Sequence, residues 1–246
     1  MVESDLFLYL SCPLAYHFRK SIPTRSSFSV EGVYKLSMRH LWYGLMDARC
    51  PKWRSVANVF CRHWREGIQS GDPGWRRYSG REVSHLELLY ELYNREMSKT
   101  SKVVMAGQPY KADFDGIELC GEIDLIRSIP GEGVELVEVR VAPPYSFLFR
   151  RDVTLAAKSY GFRSLYGTKE KHVSVICIPS GKEIHVKFGH VNYLRLSETL
   201  RAVKEEIGRG VFYPRTSESG CAVCNYIEEC RRWPFSAQAL EGSGGV

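Results

Sequence analysis

Acidic and apolar residues alternate in two segments of the sequence, 117–126 and 135–141. Because successive side chains of a β-strand point to opposite faces, each segment is predicted to be a strand with one acidic and one apolar face. Asp124 lies on the acidic face of the first strand, and Glu138 and Arg140 lie on that of the second. If the two strands are neighbours, the carboxylates of Asp124 and Glu138 converge. The apolar face of the first strand is predicted to consist of Leu119, Ile123 and Leu125.

Two carboxylates held close together repel each other unless a cation or a proton lies between them. Oxygen ligands of this kind suit Mg²⁺ or Mn²⁺. Such an ion polarises a phosphodiester and lowers the pKa of an attacking water molecule, so the pattern is compatible with phosphodiester hydrolysis. Taken alone, the spacing favours a simpler interpretation, which is two strands with ordinary exposed acidic residues.

Three cysteines, Cys221, Cys224 and Cys230, lie within ten residues near the end of the sequence. A short loop with this spacing can surround a metal ion or an iron–sulfur cluster. Three thiolates need a fourth ligand, and Cys12 is the natural candidate, since it would tie the beginning of the chain to this loop. Four thiolates suit both a 4Fe-4S cluster and zinc, so the residues themselves leave the two cofactors open.

The composition is that of an ordinary globular protein, because 44% of the 246 residues are apolar and 25% are charged. No apolar run is long enough to span a membrane, and the acidic segment 1–5 lacks the basic start of a secretory signal. The protein is therefore expected to be intracellular and cytoplasmic, without membrane contact. Its net charge of +6 is compatible with a polyanionic partner such as DNA. Arg76 and Arg77 follow a segment rich in glycine and proline, and they are predicted to form a DNA-binding loop.

Hydrophobic periodicity predicts mainly helices up to about residue 99 and a mixture of strands and helices after it. A capping box at Ser84 is predicted to begin one of these helices. The predicted helices are Ser29–Ala48, Ser55–Gln69, Ser84–Met97, Arg151–Tyr166 and Val191–Ile207. The predicted strands are Lys102–Met105, Ile117–Ile129, Val134–Val141, His172–Ile178 and Glu183–Phe188. The order of three strands, a helix and a further strand indicates a mixed α/β fold.

An ordered set of short motifs extends over nearly the whole chain. Its members are Tyr9–Leu14, His40, Gly121–Asp124, Leu136–Arg140, Tyr160 and Gly210–Pro214. The set resembles the RecB-like branch of the PD-(D/E)XK nucleases. Within that branch it is most similar to the CRISPR-associated RecB-like exonucleases and to the AddB-type nuclease domains, which carry a 4Fe-4S cluster.

The resemblance implies a role for each motif residue. Asp124 and Glu138 would bind the catalytic Mg²⁺ or Mn²⁺ with the help of His40, and Tyr160 would support the site. The resemblance also favours a structural 4Fe-4S cluster over zinc. The ligands that it implies for this cluster are Cys12, Cys221, Cys224 and Cys230.

The chain departs from the family pattern at two catalytic positions. The family's lysine on the second strand is Arg140 here, and the glutamine of its QxxxY helix motif is Ala156. Arginine keeps the positive charge that stabilises a transition state, but it does not act as a base. Lys158 is not expected to replace the missing lysine, since it lies about 200° from Ala156 around a helix.

The sequence therefore predicts a metal-dependent DNA nuclease, an exonuclease that acts on single strands or ends. Its expected catalytic residues are Asp124, Glu138, Arg140 and Tyr160. The alternative hypothesis, which Arg140 and Ala156 motivate, is a nuclease fold with weakened catalysis. Such a protein would serve as a DNA-binding or structural component of a larger assembly, with protein partners.

The predicted fold is α/β, with a PD-(D/E)XK restriction-endonuclease-like core in which helices flank a mixed central sheet. One domain is expected over residues 1–240, with a helical part up to residue 100. The catalytic core is expected over 101–190, and the last helix with the cysteine-rich iron–sulfur segment over 191–235. Residues 241–246 are predicted to form a flexible tail.

Overall fold

A five-stranded mixed β-sheet is the central element of the protein, as seen in a computed structural model that describes residues 1–22, 29–47, 49–222 and 224–233. The helices that precede the sheet are α1 (Glu3–Ser11), α2 (Pro13–Ser21), α3 (Val30–Met46), α4 (Trp53–Gln69), α5 (Pro73–Arg76) and α6 (Glu82–Ser98). The strands are β1 (Lys102–Phe114), β2 (Ile117–Ile129), β3 (Gly133–Val141), β4 (His172–Ile178) and β5 (Glu183–Val186). The later helices are α7 (Ser146–Phe149), α8 (Val153–Tyr166), α9 (His190–Gly208), α10 (Glu218–Cys221) and α11 (Ile227–Arg232). The tail predicted at 241–246 lies outside the described residues.

The strands lie in the sheet in the order in which they occur in the chain. All neighbouring pairs are antiparallel except β3 and β4, which are parallel and are connected through α7 and α8. The long β1–β2 hairpin turns at Asp115 and Gly116, which both have positive φ, at 52° and 78°. An Asp-Gly pair in this conformation is typical of a two-residue turn whose twist matches that of the strands. This turn fixes the register of β2 against β1.

Each face of the sheet packs against its own set of helices. On one face, Leu125 and Val137 belong to an apolar cluster that includes Trp42 of α3. On the other face, Leu136 belongs to a cluster that includes Leu155 of α8. Coverage on both faces gives the three-layer arrangement of an α/β domain, so the predicted mixed α/β class is confirmed. Among the described residues, no helix has the length and apolar character that a membrane crossing requires.

Two strands have the predicted bounds, since Ile117–Ile129 and His172–Ile178 coincide with β2 and β4. β1, in contrast, continues to Phe114 instead of ending at Met105. Tyr110, Ala112 and Phe114 are buried alternately along this extension, and all of it pairs with β2. The alternation was present in the sequence but is interrupted by Gly107 and Pro109, which are poor strand formers.

The apolar face predicted for β2 is wrong in part. Leu119 and Ile123 belong to the cluster beneath α8, whereas Leu125 belongs to the cluster beneath α3. In a regular strand Ile123 and Leu125 would point to the same face, so the alternation of β2 is broken around Asp124. The β1–β2 ladder has a register shift between Val103 and Met105 nearby, and such irregularities are not visible in a simple alternation.

The capping box predicted at Ser84 is also wrong. α6 begins two residues earlier, at Glu82, and the hydroxyl of Ser84 donates a hydrogen bond back to the carbonyl of Arg81 at 3.0 Å. Ser84 thus lies inside the first turn of the helix and does not cap it. The apolar periodicity on which the prediction was based identifies the helix correctly but leaves its first residue uncertain by a few positions.

Candidate active site

Asp124 of β2 and Glu138 of β3 lie side by side in the sheet. The antiparallel register pairs Leu125 with Val137, which places Asp124 opposite Glu138. Both residues are almost fully buried, at 2% and 1% exposure. Asp124 Oδ2 also accepts a hydrogen bond from the backbone N–H of Val139 at 3.0 Å. The structure thus brings together the two carboxylates that the sequence pattern singled out.

Lys35 of α3 lies between these two carboxylates. Its Nζ is 2.5 Å from Glu138 Oε1 and 3.1 Å from Asp124 Oδ2, and it also contacts Glu31 at 3.4 Å. Lys35 was not among the residues predicted for the site, although the sequence contains a signal for it. Glu31, Lys35 and Arg39 recur every four residues and therefore share one face of α3, as residues at this spacing do. The backbone N–H of Val141 donates to Glu31 Oε2 at 3.0 Å, which fixes this face against β3.

Lys158 of α8 reaches the same site from the other side. Its Nζ is 2.7 Å from Glu138 Oε2, and it donates a hydrogen bond to the carbonyl of Glu122 at 2.6 Å. Lys158 was not expected to replace the family's lysine, yet its side chain points to the carboxylates. The 200° rotation was measured from Ala156, and Ala156 is buried in the apolar cluster, so Lys158 points away from that cluster into the site. The side chain of Asp152 caps α8 and fixes its start.

Arg140 lies on the same side of β3 as Glu138, but farther from the carboxylates than the two lysines. Its Nη2 donates to Thr154 Oγ1 at 2.9 Å, whereas its Nε is 4.0 Å from Glu138 Oε1. Other carboxylates, of Glu3 and Glu31, lie 3.8 and 3.9 Å from the guanidinium. The buried Nε has no hydrogen-bond partner in the described residues. Arg140 is thus held at the edge of the site by Thr154, and it contributes charge without a direct hydrogen bond to Glu138.

Four carboxyl groups and three cationic groups meet here. The carboxyl groups are those of Glu3, Glu31, Asp124 and Glu138, and the cationic groups are those of Lys35, Arg140 and Lys158. One negative charge therefore remains if every group is ionised. A divalent cation, or a proton on one carboxyl group, is the natural complement of this excess.

The two central carboxyl groups have pKa values shifted in opposite directions. Burial, and then the neighbouring Glu138 carboxylate, raises the pKa of Asp124 to about 7. Burial also acts to raise the pKa of Glu138, but the positive charges of Lys158, Lys35 and Arg140 outweigh it and hold that pKa well below its usual range. Within this coupled pair, the carboxyl group of Asp124 is thus the one that holds a proton more readily. Perturbed and opposed carboxyl groups of this kind are concentrated at functional sites.

A cleft of about 710 Å³ opens at this site, beside α1. Asp124, Lys35, Arg140 and Lys158 line it, together with Arg19 of α2. The cleft gives access to Asp124 from outside, while Glu138 stays behind it. Glu3, Glu31 and Glu122 line the cleft as well, so cationic and acidic side chains are balanced around it.

His40 and Tyr160, which the resemblance places at the active site, do not lie among the residues that line this cleft. His40 is exposed, and five residues of helix place it about 140° from Lys35 around α3. Tyr160 packs in the apolar cluster, with its ring 4.3 Å from that of Phe114 and 5.4 Å from that of Tyr193. The helices that carry His40 and Tyr160 do contact the carboxylates, but they do so through Lys35 and Lys158.

The four cysteines of the predicted cluster site lie in one region of the structure. Cys12, Cys224 and Cys230 pack around a small apolar cluster that includes Phe18 and Tyr226. Burial raises the pKa of the Cys224 thiol, and the neighbouring thiols of Cys12, Cys221 and Cys230 raise it further. Among the described residues, no three of these sulfur atoms lie within 4.8 Å of one another. The structure thus places Cys12 near the three later cysteines, although no three of the four sulfur atoms are close together.

Arg76 and Arg77 are exposed but do not line the cleft. They lie at the end of the short helix α5, not in the loop that was predicted, and the guanidinium of Arg77 lies 5.0 Å from the ring centroid of Tyr78. The side chain of Asp72, which caps α5, contacts Asn225 of the cysteine-rich segment at 3.0 Å. The glycines and the proline that suggested a loop form the helix cap and its first turn instead.

No protein-family model matches the chain, and no curated protein matches it. Among solved structures, it is similar to one described as "Crystal structure of SSO0001". The two chains are 10% identical over 94% of this chain and 85% of the other, with a TM-score of 0.43. Similarity at this level carries no inference about family or function.

Proposed function

We propose that this chain is a metal-dependent DNA nuclease of the PD-(D/E)XK type, an exonuclease that acts on single strands or ends. The observation that carries the proposal is the buried carboxylate pair Asp124–Glu138 on adjacent strands, with Lys158 against Glu138 and an open cleft that Asp124 lines. The arrangement of β1, β2 and β3 as an antiparallel unit, followed by α8 and a parallel β4, is compatible with the core of that superfamily.

The donor set fits a magnesium or manganese ion. Asp124 and Glu138 offer carboxylate oxygens, which these ions prefer, and the carboxylate of Glu31 contacts the same ammonium group of Lys35 at 3.4 Å. Bound there, the ion would polarise the scissile phosphodiester and lower the pKa of the attacking water. Lys35 competes with the ion for the same oxygens and must leave the space between them.

The other cationic residues act on the substrate. Lys158, held by the carbonyl of Glu122 and by Glu138, places a positive charge where negative charge develops on the phosphate. Arg140 adds to this stabilisation from the edge of the site. Arg19 also lines the cleft, where it forms an ion pair with Asp5.

The four cysteines are proposed to hold a 4Fe-4S cluster that joins α2 to the end of the chain. Four thiolates suit both zinc and a 4Fe-4S cluster, and the resemblance to the cluster-bearing nucleases is what favours the cluster. The role of the cluster in this proposal is structural, because the cysteines lie around their own apolar cluster and do not line the cleft.

Cleavage of an end-labelled single-stranded oligonucleotide tests the function. Wild-type protein should degrade it in Mn²⁺ or Mg²⁺ but not in a chelator, and Asp124→Asn should abolish cleavage while leaving binding intact. Binding without cleavage by the wild-type protein would reject the nuclease.

A second candidate function is a DNA-binding or structural module without catalysis. The specific observation in its favour is Lys35, whose ammonium group already bridges both carboxylates. If Lys35 is a permanent substitute for the ion, the wild-type protein binds DNA with equal affinity in metal and in chelator. Binding should weaken steeply as the salt concentration rises under either function.

A further inference from the structure

A second group of ligand-type side chains lies at the other end of the strands, away from the cleft. Glu135 of β3, His172 of β4 and His185 of β5 each present one ligand atom, and these three atoms all lie within 4.8 Å of one another. His172 Nε2 is 2.8 Å from Glu135 Oε2, and the two imidazole rings lie with centroids 4.5 Å apart. These residues come from three adjacent strands, so the sheet itself fixes their separation.

Neighbouring side chains orient the members of this group. Arg127 forms an ion pair with Glu135 through Oε1, which leaves Oε2 directed at the histidines. The hydroxyl of Ser174 donates to the same Oε2 at 2.9 Å, and it lies 2.8 Å from His185 Nδ1. Because Ser174 donates its only hydroxyl proton to Glu135, its oxygen accepts the hydrogen bond from His185 Nδ1. Outer contacts of this kind fix the ring and carboxylate orientations at metal sites.

We propose that Glu135, His172 and His185 form a Zn²⁺ site, distinct from the nuclease site and independent of it. Two imidazole nitrogens and one carboxylate oxygen are a ligand set typical of zinc with a fourth position open to water. Mg²⁺ and Ca²⁺ prefer sites made of oxygen atoms alone, so this set selects against them. His185 is exposed, which gives an ion a direct path from solvent.

The contact between His172 and Glu135 is shorter than the ligand spacing of a zinc complex, and all three ligand atoms lie within 4.8 Å of one another. With Zn–N and Zn–O distances of about 2.1 Å, tetrahedral ligand atoms lie roughly 3.4 Å apart. The 2.8 Å contact between His172 and Glu135 thus widens by about 0.6 Å when the ion replaces the shared proton. The bound ion would clip the four-residue edge strand β5 to the two central strands β3 and β4.

The test measures zinc content by elemental analysis after equilibrium dialysis of the full chain. The wild-type protein should retain one equivalent of zinc more than His185→Ala. This variant alters an exposed side chain and leaves the core intact. His190→Ala, which removes an exposed histidine outside the group, should retain as much zinc as the wild type. Equal zinc content in the wild type and His185→Ala would overturn the proposal.

The cysteine site needs its own control, because thiolates also bind zinc. Substitution with Co²⁺ separates the two sites, since only thiolate ligands give sulfur-to-metal charge-transfer absorption. Co²⁺ bound at the Glu135 group should therefore give absorption bands without the charge-transfer component. These bands should disappear in His172→Ala and persist in Cys221→Ser. A second readout is thermal, since zinc at about 100 times its dissociation constant should raise the Tm of the wild type by several degrees but not that of His185→Ala. Zinc that disappears only with Cys221→Ser would show that the Glu135 group binds none.

Discussion

Lys158 Nζ lies 2.7 Å from Glu138 Oε2, closer than the arginine that stands on the same strand as Glu138. The family pattern places a lysine at position 140, where this chain has Arg140. In the structure, Arg140 is 4.0 Å from Glu138 and hydrogen-bonded to Thr154. The positive charges in direct contact with the second carboxylate therefore come from α8 and α3, through Lys158 and Lys35, and not from β3.

Replacing Lys158 should impair cleavage more than replacing Arg140. Lys158→Ala removes a charge that contacts Glu138, and a loss of about 10²-fold in the cleavage rate is expected for a preorganised donor of this kind. Arg140→Ala should cause a smaller loss, because its guanidinium is farther away. Single-turnover rates on labelled single-stranded DNA measure both effects. The ranking is wrong if Arg140→Ala is the slower variant.

Removal of Lys35 should make the protein depend on metal for stability. Lys35→Met leaves two buried carboxylates without their shared partner, at a cost of about 3 kcal/mol, the lower end for a broken buried pair, since Asp124 is able to take up a proton. Denaturant unfolding in a chelator measures the loss, and added Mn²⁺ should reverse it. Lys111→Met, which removes an exposed partner of Glu118, is the matched control and should have little effect. Equal stability of both variants in a chelator would contradict the bridging role of Lys35.

The cysteine site should reveal its cofactor on purification. Protein prepared without oxygen should be brown and contain iron and acid-labile sulfide, and Cys224→Ser should lose the colour and reduce the soluble yield. Cys50→Ser serves as the control, because Cys50 is exposed and lies outside the group. Stoichiometric zinc without sulfide would reject the cluster and keep the four-thiolate site.

The buried His85 should make the fold sensitive to mild acid. Burial, and then the nearby charge of Arg81, lowers the pKa of His85 below its ordinary value of 6.5. Below pH 6.5 the unfolded chain therefore binds a proton that the folded state excludes, and stability falls as the pH drops toward the folded-state pKa. The expected slope from this residue is at most about 1.4 kcal/mol per pH unit. Denaturant unfolding between pH 7 and pH 5 should show a shallower slope for His85→Gln and an unchanged slope for His190→Gln. The idea fails if His85→Gln keeps the wild-type slope.

Much of the fold was predictable because its signals are local. The bounds of β2 and β4 follow from runs of β-branched residues, and α8 follows from its apolar periodicity and the Asp152 cap. The convergence of Asp124 and Glu138 was predictable because it needs only an alternation and one strand pairing. These features depend on neighbours in sequence or on a single hairpin.

The rest of the site depends on how helices rotate against the sheet, which periodicity does not specify. α3 presents Lys35 and not His40 to the carboxylates, and α8 presents Lys158 and not Tyr160. The burial of Ala156 decides the rotation of α8, and that burial is a property of the packed core. Charged residues at four-residue intervals in an otherwise apolar helix are the sequence signal that indicates such a face.

The central claim is that Asp124 and Glu138 hold one divalent ion between them, and manganese binding measured by electron paramagnetic resonance tests it most directly. Free Mn²⁺ gives a signal that bound Mn²⁺ largely loses. The account predicts that wild-type protein binds Mn²⁺ at this site, and that Asp124→Asn and Glu138→Gln each weaken binding at least about 10-fold, since each removes one charged ligand. Glu118→Gln, which changes an exposed carboxylate on the same strand, should bind like the wild type. Mn²⁺ affinity that is equal in the wild type, Asp124→Asn and Glu138→Gln would contradict the account.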